Sequence, residues 1–395
     1  MTACDLVQLD VGAGTQRLGD AQCSHGGTAW NRMPALFERV RNAQRRFERL
    51  RHVAILACRE PLGAVTSPAS ASSLWVMSFW SSRRVVVTGG AGFLGRRVVA
   101  RLEADGADVV APRSAQFDLT VPGTAEALLA TYEPSVIIHL AARVGGIGYN
   151  LENPAPLYLS NLLMGTYVIE AARHAPSVER TVLLGTVCSY PKITPVPFVE
   201  ANLWEGYPEE TNAPYGVAKK VQLIHAQVNA EQYGQQFAYV IPTNLYGPGD
   251  KFHPAVSHVI PALIKKCVDA VESGADHVHV WGTGAASREY LYVDDAAAAI
   301  VRAGEVDVGP EPLNLGADRE VTIRETVETI AGLVGFDGEL RWDPSKPDGQ
   351  PRRGVDGTRA AKLLDWSPSM PFEDGLRATI DWYRANREEA ERPVA

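Results

Sequence analysis

The sequence contains few cysteines, and those present are widely scattered. The five are odd in number and are never spaced as C-x-x-C: Cys4, Cys23, Cys58, Cys188 and Cys267. A disulfide framework or a structural zinc site would need a closer and more regular spacing, so neither is expected and no metal is predicted. The pattern is typical of the reducing cytoplasm, which is therefore the expected location.

The chain also lacks an excess of basic charge and a long apolar run. Its formal net charge of -8 at pH 7 provides no positive field for nucleic acid. No run of about 18 apolar residues is present to cross a bilayer. We therefore expect neither a nucleic-acid partner nor a membrane partner. With 395 residues, 46% of them hydrophobic, the chain is long enough to bury a large core.

The first 76 residues differ in composition from the rest. They contain nine arginines, six acidic residues and no lysine, and they include the small-residue run "GAVTSPASASS", which is typical of a linker. Met77 stands directly before "SFWSSRRVVVTGG", where a compact domain would begin. We interpret residues 1–76 as a disordered or non-functional extension with no part in the chemistry.

Short β-branched runs alternate with longer helical stretches after residue 84. The runs are "RVVVT" (84–88), "DVVA" (108–111), "VIIHL" (136–140), "TVLLG" (181–185) and "FAYVIP" (237–242). This alternation predicts an α/β fold with a doubly wound, Rossmann-like parallel sheet. We expect residues 77–243 to bind a dinucleotide. Residues 244–395 should mainly form a smaller C-terminal α+β substrate domain, with some segments returning to the first.

A glycine-rich turn follows the first strand. The segment "TGGAGFLG" places Gly89, Gly92 and Gly95 between a strand and a helix. Glycines there allow a tight turn, a close approach of the backbone to a diphosphate and close helix packing, while the helix N-terminus faces the phosphates. A glycine triplet alone is often an ordinary turn. Its position between strand and helix predicts a cofactor site that includes Phe93 and Leu94.

The end of the second strand indicates which nicotinamide cofactor is preferred. An acidic residue there would bind the ribose hydroxyls of NAD, but the strand leads to Arg113, whose guanidinium suits the 2'-phosphate of NADP(H). A solvated surface arginine is the simpler alternative and stays open. Asp118, in "FDL", is the usual type of residue to meet the adenine edge.

The strongest chemical signal is "NAPYGVAKK", where Tyr215 and Lys219 are four residues apart. On a helix this spacing puts both side chains on one face. A phenol ionises near pH 10, and a neighbouring ammonium favours its ionised form, so Tyr215 could serve as general acid to a ketone oxygen. The same spacing also occurs by chance on solvated helices.

These motifs resemble the extended short-chain dehydrogenase/reductase family, whose members mostly act on nucleotide sugars. The resemblance implies a catalytic triad of Thr186, Tyr215 and Lys219, in which the lysine also holds the nicotinamide ribose and lowers the tyrosine pKa. It further implies that four residues line the NADP(H) site: Leu140, Ala141, Ala142 and Asn244.

Longer motifs narrow the resemblance to one kind of member. They are "HLAARVGGIGYN" (139–150), "GTVCSYPK" (185–192), "PTNLYGPGDKFHPAVSHVIPALIKK" (242–266), "WGTGAASREYLYVDD" (281–295) and "SKPDGQPRR" (345–353). The implied activity epimerises carbons 3 and 5 of GDP-4-keto-6-deoxy-D-mannose and reduces carbon 4 with NADPH. The resemblance also implies a homodimer.

Epimerisation needs groups beyond the triad. Inverting a carbon beside a ketone requires one group to remove a proton and another to deliver one to the opposite face. A thiol and an imidazole, with ordinary pKa values of about 8.5 and 6.5, suit this exchange near neutral pH. The resemblance assigns these roles to Cys188 and His258. Taken alone, Cys188 would be a small buried apolar residue, and nearby His253 competes with His258.

The remaining matches imply a binding site for the nucleotide sugar. Asn244 would bond the sugar or phosphate region, Trp281 would form an aromatic wall, and Arg288 would provide a fork for the diphosphate. Core packing for Trp281 and a surface ion pair for Arg288 are the alternatives. The resemblance completes the substrate set with His258, Val259, Lys266 and Lys346.

The sequence departs from the family pattern at two site positions. Thr186 stands where serine is commoner, and Arg143 stands where a lysine often precedes V-G-G, beside the expected sugar pocket. A different hexose would be compatible with Arg143. Two other functions stay open: an NAD-dependent nucleotide-sugar 4-epimerase or dehydratase, and a non-catalytic module that senses the cofactor.

Overall fold

The computed structural model describes residues 78–346 and 349–392. The chain divides into two units, Met1–Leu74 and Trp75–Ala395, and every described residue belongs to the second. The predictions for residues 1–76 and for a domain start at Met77 lie outside the described residues.

Twelve strands and eleven helices are found in the described part. The strands are β1 Arg84–Thr88, β2 Asp108–Val110, β3 Val136–His139, β4 Arg180–Leu184, β5 Phe237–Pro242, β6 Asn244–Tyr246, β7 His277–Trp281, β8 Ser287–Tyr292, β9 Leu313–Leu315, β10 Glu320–Thr322, β11 Glu339–Asp343 and β12 Arg352–Arg353. The helices are α1 Phe93–Ala104, α2 Thr124–Tyr132, α3 Ile147–Glu152, α4 Pro154–His174, α5 Ala213–Tyr233, α6 Val259–Ser273, α7 Val293–Glu305, α8 Ile323–Val334, α9 Thr358–Leu364, α10 Phe372–Ala385 and α11 Arg387–Ala390. Two short 3-10 helices, Val187–Ser189 and Glu200–Trp204, lie between β4 and α5.

A six-stranded sheet has the order β2-β1-β3-β4-β5-β9, and each neighbouring pair is parallel. Successive side chains of a strand point to opposite faces, so each face can bury its own layer of helices. Val85 and Val87 pack with Val98 of α1, whereas Val86 packs with Leu128 of α2. Apolar cores cover both faces, and the predicted doubly wound α/β fold is confirmed.

The order of the strands sets the position of the site. Strand β1 lies between β2 and β3, so the chain reverses direction across the sheet at this point. In open parallel sheets, ligands bind beyond the carboxyl ends of the strands at such a reversal. The glycine-rich turn after β1 and the segment after β3 both lie there.

A second group of strands lies after residue 243. Strand β8 pairs with β6, β10 and β12, and β7 pairs with β11. Their core includes aromatic side chains such as Tyr246 and Tyr290 and the apolar face of α6. Strand β9 belongs to the first sheet, so the chain returns there after building most of the second region.

The described residues contain no helix that is both long enough and apolar enough to cross a membrane. In the same part of the chain, no group of three or more His, Cys, Asp or Glu side chains is arranged to hold a metal ion.

Candidate active site

The glycine-rich turn brings three backbone segments into direct contact. Gly89 has φ of +72°, and a Cβ there would lie 2.7 Å from the backbone nitrogen of Ala141. A Cβ on Gly95 would lie 2.1 Å from the Gly89 carbonyl oxygen. Gly92 is the N-cap of α1 and makes no side-chain capping bond, so N–H groups of the first turn, which begins at Phe93 and Leu94, can meet an anion. At Gly89 and Gly95 a side chain would prevent these backbone contacts.

The residues after β2 have different surroundings. Arg113 is exposed, and within the described residues its guanidinium makes no ion pair. Asp118 is also exposed and accepts bonds from the Thr120 hydroxyl at 2.7 Å and the Thr120 backbone at 3.0 Å, which hold its pKa below the ordinary value. Both side chains reach solvent beyond the carboxyl end of β2, where a nucleotide ribose could meet them.

The segment after β3 is fixed by hydrogen bonds. Leu140 donates its N–H to the Thr88 carbonyl at 3.0 Å, and Ala141 donates to Oγ1 of the same threonine at 3.3 Å. The Asn161 side chain accepts from the backbone N–H of Arg143 and donates to its carbonyl, at 3.0 and 2.8 Å. These bonds hold Ala142, between them, against the glycine-rich turn.

The hydroxyl and thiol residues meet helix α5 at a close backbone contact. A Cβ on Gly216 would lie 2.4 Å from the carbonyl oxygen of Cys188, and the Ser189 hydroxyl donates to the Gly216 carbonyl at 2.8 Å. Oγ1 of Thr186 accepts from the backbone N–H of Cys188 at 3.2 Å. Because Tyr215 directly precedes Gly216, the contact puts its phenol beside the Thr186–Cys188 loop.

The electrostatics of Tyr215 differ from the prediction. Burial, followed by the nearby Cys188, raises the pKa of Tyr215. The sequence predicted a lowering by Lys219, which is the opposite direction. The neutral phenol is the form that donates a proton, so the residue is suited to act as a general acid.

Lys219 lies one turn further along α5 and is completely buried. Its Nζ atom has no hydrogen-bond partner among the described residues, and burial lowers its pKa to about 8. The Tyr239 hydroxyl donates to the Lys219 carbonyl at 2.8 Å and fixes this turn against β5. A buried amine without a partner is costly, which indicates that a ligand hydroxyl completes the site.

Sequence reasoning missed a buried histidine in the same place. His139, the last residue of β3, has Nδ1 2.8 Å from Oγ1 of Thr88, and its Nε2 has no partner among the described residues. Burial and the charge of Lys219 lower the pKa of His139 to about 3, so the ring is neutral. The only available signal was a polar residue at the end of the apolar run "VIIHL".

His258 lies on another element, as the N-cap of α6, and is exposed. Loss of solvent around the ring, followed by the charge of Lys251, lowers the pKa of His258, although the residue as a whole is exposed. A Cβ on Gly146 would lie 2.8 Å from the Ser257 carbonyl, so the residue before His258 abuts the V-G-G segment. Nδ1 of the competing His253 accepts from the Ala255 backbone at 3.3 Å and is thereby tied to its own turn.

Two predicted substrate lysines from distant parts of the chain lie over the indole of a third predicted substrate residue, Trp281. Trp281 is 64% exposed, and the Nζ atoms of Lys266 and Lys346 lie 5.7 and 5.6 Å from its ring centroid. Lys266 also donates to the His279 carbonyl at 2.9 Å. The exposure excludes core packing for Trp281. Val259, the first residue of α6, is 39% exposed.

Arg288 and Asn244 both bond to backbone in the second region. Nη1 of Arg288 donates to the carbonyls of Ser287 and Gln350 at 2.7 and 2.6 Å. Nδ2 of Asn244 donates to the Glu289 carbonyl at 3.0 Å. These bonds orient both side chains at the start of β6 and along β8.

Glu289 is a second residue that sequence reasoning missed. It is 2% exposed, and its carboxylate accepts three backbone N–H bonds, from Ala317 at 2.5 Å, Asp318 at 2.9 Å and Val355 at 2.8 Å. The carboxylate therefore ties β8 to the segments that follow β9 and β12. Burial raises the pKa of Glu289, partly offset by these bonds.

Comparison with known proteins defines the class. The model of the NAD dependent epimerase/dehydratase family matches residues 85–316, and the chain belongs to this family. Within it, the chain is similar to GDP-L-fucose synthases. A probable GDP-L-fucose synthase 1 from Oryza sativa subsp. japonica is 41% identical over 304 residues, 77% of this chain and 92% of the relative.

The chain is also similar to two other proteins named for GDP-L-fucose synthesis. The GDP-L-fucose synthase of Escherichia coli is 36% identical, over 78% of this chain and 98% of the relative. The crystal structure of a GDP-L-fucose synthetase from Naegleria fowleri bound to NADP has a TM-score of 0.70 and 27% identity, covering 79% of this chain and 97% of that one. The family resemblance predicted from the motifs is confirmed.

Proposed function

We propose that this protein converts GDP-4-keto-6-deoxy-D-mannose to GDP-L-fucose, by epimerisation at carbons 3 and 5 and NADPH-dependent reduction at carbon 4. The contact of Gly216 with Cys188 carries this proposal, because it joins the reductase tyrosine to a thiol on the loop of the hydroxyl residue. A reductase alone would need no such thiol. The GDP-L-fucose synthases to which the chain is similar have the same product in their names.

The residues present fit a dinucleotide. Gly89 and Gly95 allow backbone contacts that a Cβ would prevent, Gly92 caps the helix that follows, and the unpartnered Nζ of Lys219 suits the ribose hydroxyls. Arg113 would bind the 2'-phosphate and Asp118 the adenine edge. Leu140, Ala141 and Ala142, with Phe93, Leu94 and Asn244, would line the remainder. The bound NADPH supplies the hydride for carbon 4.

Reduction requires a proton for the ketone oxygen. The hydroxyls of Thr186 and Tyr215 would both bond this oxygen, and the neutral phenol of Tyr215 would deliver the proton. Lys219 would hold the ribose and stabilise the phenolate that remains. Thr186 lies in the loop after β4, and Tyr215 and Lys219 lie on α5; the Gly216 contact joins this loop to the helix.

Epimerisation requires two groups on opposite faces of the sugar. Cys188 would remove the proton beside the ketone, and His258 would return one from the other face. The electron pair left on carbon delocalises into the ketone oxygen, where Thr186 and Tyr215 stabilise it. The exposed position of His258 allows its proton to be replaced from solvent.

The nucleotide would bind to the second region. Trp281, with Lys266 and Lys346 above its ring, provides an aromatic face beside two cations, as a base next to a diphosphate requires. Arg288, Asn244 and Val259 would complete the site. On this proposal residues 77–243 form the cofactor domain, and residues 244–395 mainly the substrate domain.

The proposal includes a cytoplasmic homodimer. Helices α4 and α5 pack together through the bond from Gln222 Nε2 to the Asn161 carbonyl. On these helices, Leu159, Ile224 and Val228 remain 53%, 45% and 48% exposed. A second copy of the chain would cover these apolar side chains.

The proposal can be tested with GDP-4-keto-6-deoxy-D-mannose in heavy water, first without NADPH and then with it. Deuterium should enter at carbons 3 and 5, and NADPH should then be oxidised. Cys188→Ser should reduce exchange about a hundredfold or more while leaving NADPH binding intact, and Tyr215→Phe should mainly impair reduction. Cys267→Ser, which changes a buried thiol in α6, is the matched control and should exchange normally.

Each alternative gives a different result. A 4-epimerase or dehydratase would show no exchange at both carbons and would favour NAD. A non-catalytic cofactor sensor would bind NADPH without turnover. Normal exchange in Cys188→Ser would refute the role assigned to this cysteine.

A further inference from the structure

The arginine at the end of "SKPDGQPRR" lies against the thiol of the active site. Arg353 belongs to β12, which pairs with β8, and its side chain is 9% exposed. Nη1 of Arg353 lies 3.8 Å from Sγ of Cys188, within the range of a hydrogen bond to sulfur. Nε donates to the side chain of Gln350 at 3.2 Å, which holds the guanidinium in this direction.

The charge of Arg353 is not cancelled by a contact ion pair among the described residues. The carboxylate of Glu209 feels this charge, but it accepts three bonds from Thr211 and Asn212 instead. A buried cation without a close anion is costly, so an anion at the site would be strongly favoured. The sulfur of Cys188 is the group that the guanidinium contacts.

Cys188 also has a titratable neighbour on helix α5. The phenol of Tyr215 faces the same sulfur from α5, and it is neutral because burial raises its pKa. Arg353 is the cation that contacts the sulfur, and the Thr186 hydroxyl, which accepts from the Cys188 backbone N–H, carries no charge.

We propose that Arg353 is a positioning residue whose guanidinium stabilises the thiolate form of Cys188 and so prepares the thiol to remove the proton from the sugar. In this step the C–H bond beside the ketone breaks and an S–H bond forms, while the electron pair moves into the ketone oxygen. His258 then gives its proton to the same carbon from the opposite face, as the electron pair returns from the oxygen to the carbon. Cys188 afterwards releases its proton to solvent, and His258 takes one up from solvent. The catalytic part of this proposal rests on the proposed function.

The neighbouring Arg352 offers a matched control. It lies on the same strand but is turned away from Cys188, and its guanidinium forms an exposed ion pair with Glu320. Arg352→Met therefore removes the same charge and the same volume without touching the thiol. Arg353→Lys keeps a cation at the site and tests whether charge is what matters.

The experiment measures carbamidomethylation of Cys188 by iodoacetamide at pH 7, followed by the mass of its peptide, in the full-length protein without substrate. A charge within about 4–6 Å changes the balance of neutral and ionised forms by about one to three powers of ten. Arg353→Met should therefore alkylate about tenfold or more slowly, because the thiolate is the nucleophile. Arg353→Lys should recover most of this rate, and Arg352→Met should match the wild type.

The second measurement is deuterium exchange into the keto sugar, which should fall in parallel with alkylation. Wild-type alkylation in Arg353→Met would overturn the proposal, and a raised KM for the sugar alone would make Arg353 a substrate ligand instead. Equal loss in Arg352→Met or in Arg353→Lys would also overturn it, since charge beside the sulfur would not be the cause. If alkylation responds as expected while the wild type shows no exchange, the link between Arg353 and Cys188 stands and the proposed function fails.

Discussion

The contact at Gly216 can be tested by adding a single methyl group. In Gly216→Ala the new Cβ would lie 2.4 Å from the carbonyl oxygen of Cys188 and 3.2 Å from Cα of Ser189. Ordinary contact begins near 3.4 Å, and the atoms in the way are backbone, which cannot rotate aside. Helix α5 and the loop must therefore separate by about 1 Å, which would move Tyr215 and Lys219 away from Thr186 and Cys188.

The cost can be estimated from this displacement. Misplacing reacting groups by about 1 Å lowers rates by about a hundredfold, which equals about 2.7 kcal/mol in the activation free energy. We expect kcat/KM for NADPH oxidation with the keto sugar to fall by about this factor, together with deuterium exchange. Stability should change less, because alanine is favoured over glycine in a helix by about 1 kcal/mol and offsets part of the strain.

Gly332→Ala in α8 is the matched control. A Cβ there would meet nothing within 4 Å, so the variant should keep wild-type activity and be slightly more stable. Steady-state kinetics and urea unfolding of both variants provide the comparison. If Gly216→Ala keeps activity within about twofold of the wild type, the backbone contact does not set the distances between the catalytic side chains, and the reasoning fails.

Two further predictions concern buried charges. Because burial lowers the pKa of Lys219 to about 8, below the ordinary value of about 10.4, the folded chain binds fewer protons than the unfolded chain between these pH values. The cost of burying the charged ammonium is fully present below pH 8 and disappears as the pH rises. The free energy of unfolding, measured by urea titration without cofactor, should therefore rise by about 3 kcal/mol toward pH 10.5 relative to that of Lys219→Met. The same pH dependence in both proteins would contradict this. Glu289→Gln should lower the free energy of unfolding by about 2–3 kcal/mol, because an amide NH2 cannot accept the backbone bonds. Glu373→Gln on the surface should change it hardly at all. Equal urea midpoints for the two variants would contradict the role of the Glu289 carboxylate in joining β8 to its neighbouring segments.

The sequence predicted the first sheet better than the second because of how each is built. Strands β1, β3, β4 and β5 are apolar runs of which most residues are buried, and their parallel pairing follows from the alternation with helices. Strand β9 has only three residues, "LNL", and its place beside β5 depends on pairing between distant parts of the chain. Pairings of this kind in the second region, such as β8 with β12, leave no local periodicity to detect.

In the candidate site, too, local features could be predicted from the sequence and long-range contacts could not. Tyr215 and Lys219 were found because a helix turns their spacing into proximity, and Gly89, Gly92 and Gly95 because one turn contains them all. Arg353 was missed because 165 positions separate it from Cys188, and no spacing rule relates the two. Glu289 was missed for the same reason, since its partners lie 28 to 66 positions away.

The two halves of the proposed reaction therefore depend on different parts of the fold. Thr186, Tyr215 and Lys219 lie on or directly after elements of the first sheet, and the Gly216 contact is enough to hold them together. Proton exchange at the sugar would further need Arg353 and His258, which come from β12 and the start of α6. Glu289 accepts from Val355, two residues beyond Arg353, and so ties the strand of the arginine to β8. On this proposal, the thiol on the Thr186 loop is where the second region acts on the reductase residues that the first sheet holds.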